Sequence, residues 1–197
     1  MGSNRFFVRV YHQLRVFSPS RLPETGPAIV CCNHTSGIDP LFIQSCCPRL
    51  ITWMMAKEFL DLPALSWVFR TVGVIPVARS GRDTAATRAA MRALHEGRIL
   101  GIFPEGRIEP ADELLPFQSG VALMALKTGV PVYPAYLDGS QRGLSMLMAF
   151  VQAQRARIAF GPPVMLDGQD AGRADHDAAT LAIQRAVESL RGRVKES

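Results

Sequence analysis

Apolar residues recur along the chain in two registers, and the alternation between them outlines the fold. Short unbroken runs at Ala28 to Cys32, Leu50 to Met55, Val74 to Val77, Ile99 to Phe103 and Val130 to Tyr136 have the length and β-branching of buried strands, and Arg157 to Phe160 reads as another. Between them, Pro40 to Cys47, Leu65 to Thr71, Asp83 to His95 and Gly120 to Thr128 read as helices. The third of these has clear ends: Asp83 or Thr84 caps its start and Gly97 stops it. From Asp175 onward, Ile183, Val187, Leu190 and Val194 keep helical spacing, so an amphipathic helix closes the chain. Strands alternating with helices predict an α/β layered domain with a mixed, largely parallel sheet flanked by helices. The prolines of Val130-Pro131-Val132-Tyr133-Pro134 point to an edge strand or a bulge there.

The first residues follow a different pattern. Phe6 or Phe7, Val10, Leu14 and Phe17 recur every three or four positions, with Arg5, Arg9 and Arg15 among them. Such a helix over 5–17 suits a lipid headgroup region, apolar side down and arginines on phosphates. It equally suits packing on the domain's own core. The segment by itself leaves both readings open.

Composition narrows the class. The 197 residues are 48% hydrophobic and 20% charged, which excludes disorder and a fibrous fold. Lys and Arg number 22 against 17 Asp and Glu, a net charge of +5. No apolar run reaches the ~18 residues of a spanning helix. The four cysteines stand as Cys31-Cys32 and Cys46-Cys47 with no C-x-x-C spacing, and no secretion leader is visible. Reduced, buried thiols in a cytosolic setting are therefore expected.

Candidate chemistry sits where strands end. Asn33-His34-Thr35-Ser36-Gly37-Ile38-Asp39-Pro40 lies between a strand and a helix, a common place for ligand sites in α/β proteins. On a continuous helix His34 and Asp39 would be rotated apart by about 140°. A turn through Gly37 instead lets Asp39 reach one imidazole nitrogen, leaving the other free as a base. Asp39-Pro40 is also an ordinary helix start, which would leave His34 incidental. A second strand end, Phe103-Pro104-Glu105-Gly106-Arg107, sets an acid and a guanidinium two residues apart beside a glycine that admits a ligand to the backbone. Gly73 to Arg79 is a third strand and turn, ending in a cation.

Together these segments resemble the glycerolipid (lysophospholipid) acyltransferases. The family's N-H-x-x-x-x-D block is matched by Asn33, His34 and Asp39, and its G-x-x-x-x-x-R block by Gly73 and Arg79. Its F-P-E-G block is matched by Phe103 to Gly106 with Arg107, and its V-P-V-x-P block by Val130 to Pro134. The order agrees, over roughly half the chain. One departure stands out: Arg107 follows Gly106 directly, where many members place a Thr between them.

The resemblance implies an α/β acyltransferase domain over 21–197, with residues 1–20 as an N-terminal amphipathic helix on an anionic membrane surface. It implies a catalytic pair, His34 and Asp39, with Arg79, Glu105, Gly106 and Arg107 around the acceptor's phosphate and glycerol. Because a carboxylate repels phosphate, Glu105 is expected to meet a hydroxyl or orient an arginine. The acceptor would be a lysophospholipid, most simply 1-acyl-glycerol-3-phosphate, and the donor acyl-CoA or acyl-carrier protein. No metal or other cofactor is implied, and the setting would be the cytoplasmic face of the cell membrane. Direct transfer agrees with the absence of a G-x-S-x-G nucleophile elbow. Other lysolipid acceptors are an alternative. So is a thiol hydrolase with Cys32 as nucleophile and His34 as base, or a non-catalytic lipid-binding module. Aromatic content of 8% and scattered positive charge argue against nucleic acid.

Overall fold

Strand β2 (Ala28–Cys32) is buried along its whole length and shows how the layers form. Its side chains alternate between two hydrophobic clusters, Ile29 and Cys31 facing one, Ala28, Val30 and Cys32 the other. A strand with both faces covered must lie inside a sheet with helices on either side.

A computed structural model of the chain describes residues 2–59, 72–78, 83–108, 113–140, 146–166 and 173–195. The strands β1 (Arg15–Ser18), β2, β3 (Ile51–Ala56), β4 (Ile75–Val77), β5 (Ile99–Ile102), β6 (Val132–Asp138) and β7 (Arg157–Phe160) form one sheet in the order β1-β7-β6-β2-β5-β3-β4. All neighbours run parallel except β6 and β7. The sheet is therefore mixed and largely parallel, as the alternation of elements predicts. Helices α3 (Thr84–His95), α4 (Gly120–Thr128), α6 (Arg173–Glu188) and α7 (Arg191–Lys195) supply one cluster. The other is built from the N-terminal helix, α2 (Asp39–Ser45) and α5 (Met146–Val151). Asp83 caps α3 by accepting the N–H of Ala86 at 2.8 Å, worth about 1 kcal/mol. The helix expected over Leu65 to Thr71 lies outside the described residues.

Two expectations need correction. The helical stripe over 5–17 stops early: α1 (Gly2–Phe6) continues as one wide turn through Phe7–Tyr11, and residues 15–18 are strand β1. Gln13, at φ 46°, turns the chain out of the helix. Arg15 and Val16 then pair with Arg157 and Ile158, covering an edge of β7 that would otherwise stay unpaired. Ser18 Oγ donates to the Phe160 carbonyl at 2.6 Å and accepts its N–H at 2.9 Å, which locks the strand in place.

Nor are the prolines on an edge, because β6 lies between β2 and β7. The Pro131 carbonyl accepts from Ile29 at 3.1 Å and the Pro134 carbonyl from Gly161 at 2.9 Å. Both prolines thus serve as acceptors, and the donor that Pro134 lacks falls at the end of β7. A Cβ on Gly161 would stand 2.9 Å from the Pro134 ring, so the glycine makes room for it. Pro76, in β4, does occupy an edge strand.

Candidate active site

Because β2, β5 and β6 are parallel, their C-terminal ends deliver Asn33-His34, Phe103-Glu105 and Ser140 to one rim of the sheet. Asn33 extends the ladder with its side chain: Nδ2 donates to the Leu137 carbonyl at 2.9 Å, and Oδ1 accepts the Leu137 N–H at 2.8 Å. The residue before His34 is thereby fixed to the sheet as firmly as a strand residue.

The turn after Asn33 closes on Asp39. Its Oδ2 accepts the main-chain N–H of Thr35 at 2.7 Å and of Ser36 at 2.8 Å, and lies 3.0 Å from His34 Nδ1. The reach expected of a Gly37 turn is therefore present, and Asp39 holds this turn instead of capping its own helix. An oxygen that already accepts two N–H groups takes a third from Nδ1–H, so the neutral imidazole presents Nε2 as the acceptor. Asp39 is fully buried, while the His34 side chain is 19% exposed. Thr35 Oγ1 is hydrogen-bonded to Ser140 Oγ, tying the turn to the end of β6.

Two further contacts position His34. Its ring stacks on Phe103 with centroids 4.1 Å apart and planes 14° apart, and Phe103 stacks on Trp53 at 5.1 Å. Trp53 in turn lies over Gly101, where a Cβ would stand 2.5 Å from the indole. Glu105 Oε1 accepts the His34 main-chain N–H at 2.8 Å, and Oε2 the Leu115 N–H at 3.0 Å. Burial pushes the Glu105 carboxyl upward, opposed by those two main-chain hydrogen bonds. In the structure Glu105 thus meets main-chain donors of two loops. The expectation that it faces an acceptor hydroxyl or an arginine did not anticipate this tie.

Gly106 adopts φ +70°, a conformation that favours glycine, and carries the turn to the exposed Arg107. His34, Asp39, Glu105, Gly106 and Arg107 therefore share one rim. Arg79 lies outside the described residues. Thr35, Ser140, Trp53 and Leu115 escaped the sequence reading, since nothing in their spacing marks contacts made across the fold. The Cys31 thiol is fully buried and the Cys32 thiol likewise, and burial raises both well above the ordinary range. A buried thiol held protonated is a poor nucleophile, which disfavours a Cys32 hydrolase.

A family model described as acyltransferase matches residues 13–138. The chain is 36% identical over 126 residues to a 1-acyl-sn-glycerol-3-phosphate acyltransferase of Borreliella burgdorferi, covering 62% of this chain and 50% of that one. It is 28% identical over 135 residues to the human 1-acyl-sn-glycerol-3-phosphate acyltransferase beta, covering 67% and 48%. With a Bacillus subtilis 1-acyl-sn-glycerol-3-phosphate acyltransferase, 23% identity extends over 186 residues, 93% of this chain and 87% of that one. The chain spans about half the length of the first two relatives. The crystal structure of the 1-acyl-sn-glycerophosphate acyltransferase PlsC from Thermotoga maritima has the same fold, with a TM-score of 0.72 at 24% identity over 95% of this chain and 76% of that one.

Proposed function

Since the chain belongs to the acyltransferase family, we propose that it moves a fatty acyl group from acyl-CoA or acyl-carrier protein to the free hydroxyl of a lysophospholipid. The acceptor in this reading is 1-acyl-glycerol-3-phosphate and the product phosphatidate, the chemistry for which the relatives are named. The observation that carries it is the 3.0 Å contact between His34 Nδ1 and a fully buried Asp39 beneath a partly exposed imidazole.

In the reaction, His34 Nε2 takes the proton of the acceptor hydroxyl as its oxygen attacks the thioester carbonyl carbon. The C–O bond forms, the C–S bond breaks, and the proton passes from the imidazolium to the departing sulfur. Asp39 stabilises the imidazolium and keeps the ring from turning. Phe103 braces one face of that ring, and Glu105 holds its backbone. General-base help of this kind is worth 10²–10⁴-fold, and positioning of the two substrates supplies more. Arg107 and Arg79 are assigned to the acceptor's phosphate, where a guanidinium gives a bidentate contact. Gly106 lets the backbone approach it.

A lipid with one acyl chain stays in the bilayer, so the enzyme works at its surface. Among the described residues no helix is long and apolar enough to cross a membrane. The N-terminal helix is assigned to hold the protein on the anionic cytoplasmic leaflet, through apolar side chains and arginines.

The test is a panel of lysolipids, with and without a headgroup phosphate, each offered with acyl-CoA and acyl-carrier protein. Product from the phosphate-bearing acceptors supports the reading. Product only from a lysolipid lacking a free phosphate monoester would reassign the acceptor.

A further inference from the structure

Among the described residues, six of the eleven exposed large apolar side chains lie on two adjoining elements. Phe6, Val10 and Tyr11 of the N-terminal helix and Met148, Phe150 and Val151 of α5 are 42% to 69% exposed. The two elements touch: Phe7 stacks on Phe150 with centroids 4.7 Å apart, and the Tyr11 hydroxyl donates to the Val151 carbonyl. They make one continuous surface.

Its charge is one-sided. Arg5, Arg9 and Arg15 precede Glu24, the first acidic residue of the chain, and α5 carries no carboxylate. Exposed aromatic and aliphatic groups rimmed by cations match the acyl boundary and headgroups of an anionic bilayer. The flank also borders the catalytic rim. Asn4 and Arg5 anchor the N-terminal helix to the Leu41 and Ser45 carbonyls of α2, the helix that begins with Asp39. Ser140, bonded to Thr35 beside His34, lies six positions before α5 on the same chain.

We infer that α5 and the N-terminal helix form a single lipid-facing footprint, seated on an anionic bilayer, with α5 as a second contact that sets the catalytic rim at the leaflet. The inference rests on the membrane attachment assigned to the N-terminal helix and extends it to α5. Two points of contact fix orientation where one helix would leave the domain free to swing. An acceptor anchored by its chain then meets His34 without leaving the leaflet.

The experiment is flotation of the full chain with vesicles of equal parts phosphatidylglycerol and phosphatidylcholine. Wild type is compared with Met148→Gln/Val151→Gln and with Phe6→Gln/Val10→Gln, and thermal unfolding verifies that each variant folds. Removing two interfacial apolar side chains should weaken vesicle binding at least tenfold in either variant. In the unaltered protein, vesicles should also slow peroxide oxidation of Met148, a readout that needs no variant. Wild-type binding by the α5 variant together with unprotected Met148 overturns the inference and leaves the N-terminal anchor standing. Dimerisation without lipid that the α5 variant abolishes overturns it too, with a second copy as the occupant. Vesicle binding that depends on α5 in a chain that transfers no acyl group upholds it and removes the proposed reaction instead.

Discussion

Glu105 Oε1 accepts the main-chain N–H of His34 at 2.8 Å, joining residues 71 positions apart in the chain. The contact explains why an acid stands in a turn that otherwise suits an anionic ligand. Its second oxygen takes the Leu115 N–H, so both oxygens serve the protein's own backbone.

Glu105→Gln follows as a sharp test. One amide oxygen can replace one carboxylate oxygen, but the NH₂ group then faces a main-chain N–H. Losing a hydrogen bond to a charged group costs about 1.5–3 kcal/mol. Steady-state kinetics should show kcat lower by at least about tenfold, with the acceptor KM nearly unchanged. A rise in KM at constant kcat would place Glu105 on the acceptor instead.

Gly101 tests the aromatic brace. A Cβ there would meet Trp53 at 2.5 Å and Ile51 at 2.7 Å, so Gly101→Ala must move the indole that supports Phe103 and, through it, the His34 ring. Overpacking of this kind costs about 1–3 kcal/mol of stability. Activity measured well below the unfolding temperature should fall more than the folded fraction does. Equal falls in both would mean that the stack holds only the fold.

His12 makes stability depend on pH. Its ring is fully buried, edge-on to Phe7, Tyr11 and Phe42. Burial lowers its pKa, and the Phe150 main chain offsets part of that. Between the folded and unfolded values the unfolded chain binds more protons, so stability is present above about pH 6.5 and is lost as pH falls. Urea midpoints at pH 7.5 and 5.5 should differ more for wild type than for His12→Phe. An identical pH response in both would refute the assignment.

Much of this was readable in the chain. The runs at 28–32, 50–55 and 99–103 announce central strands because burial on both faces leaves them almost wholly apolar, with Thr52 the polar exception. The His34–Asp39 pair is legible because the two stand five apart between a strand and a helix, where Asp39 closes the turn through the Thr35 and Ser36 N–H groups. Strand β1 was hidden, because Val16 and Phe17 continue a helical stripe that Gln13 interrupts with a left-handed backbone rarely adopted by glutamine. Pro131 and Pro134 misdirected the reading because a proline still accepts through its carbonyl, and only the placement of neighbouring strands shows whether its missing donor matters. The roles of Glu105 and Trp53 depend on groups far away in sequence, to which no local pattern refers.

The most direct measurement compares acyl transfer from acyl-CoA to 1-acyl-glycerol-3-phosphate by wild type and His34→Ala at matched folded fraction. The account predicts phosphatidate from wild type and at least a hundredfold loss of kcat in the variant. Transfer by His34→Ala at the wild-type rate would contradict it.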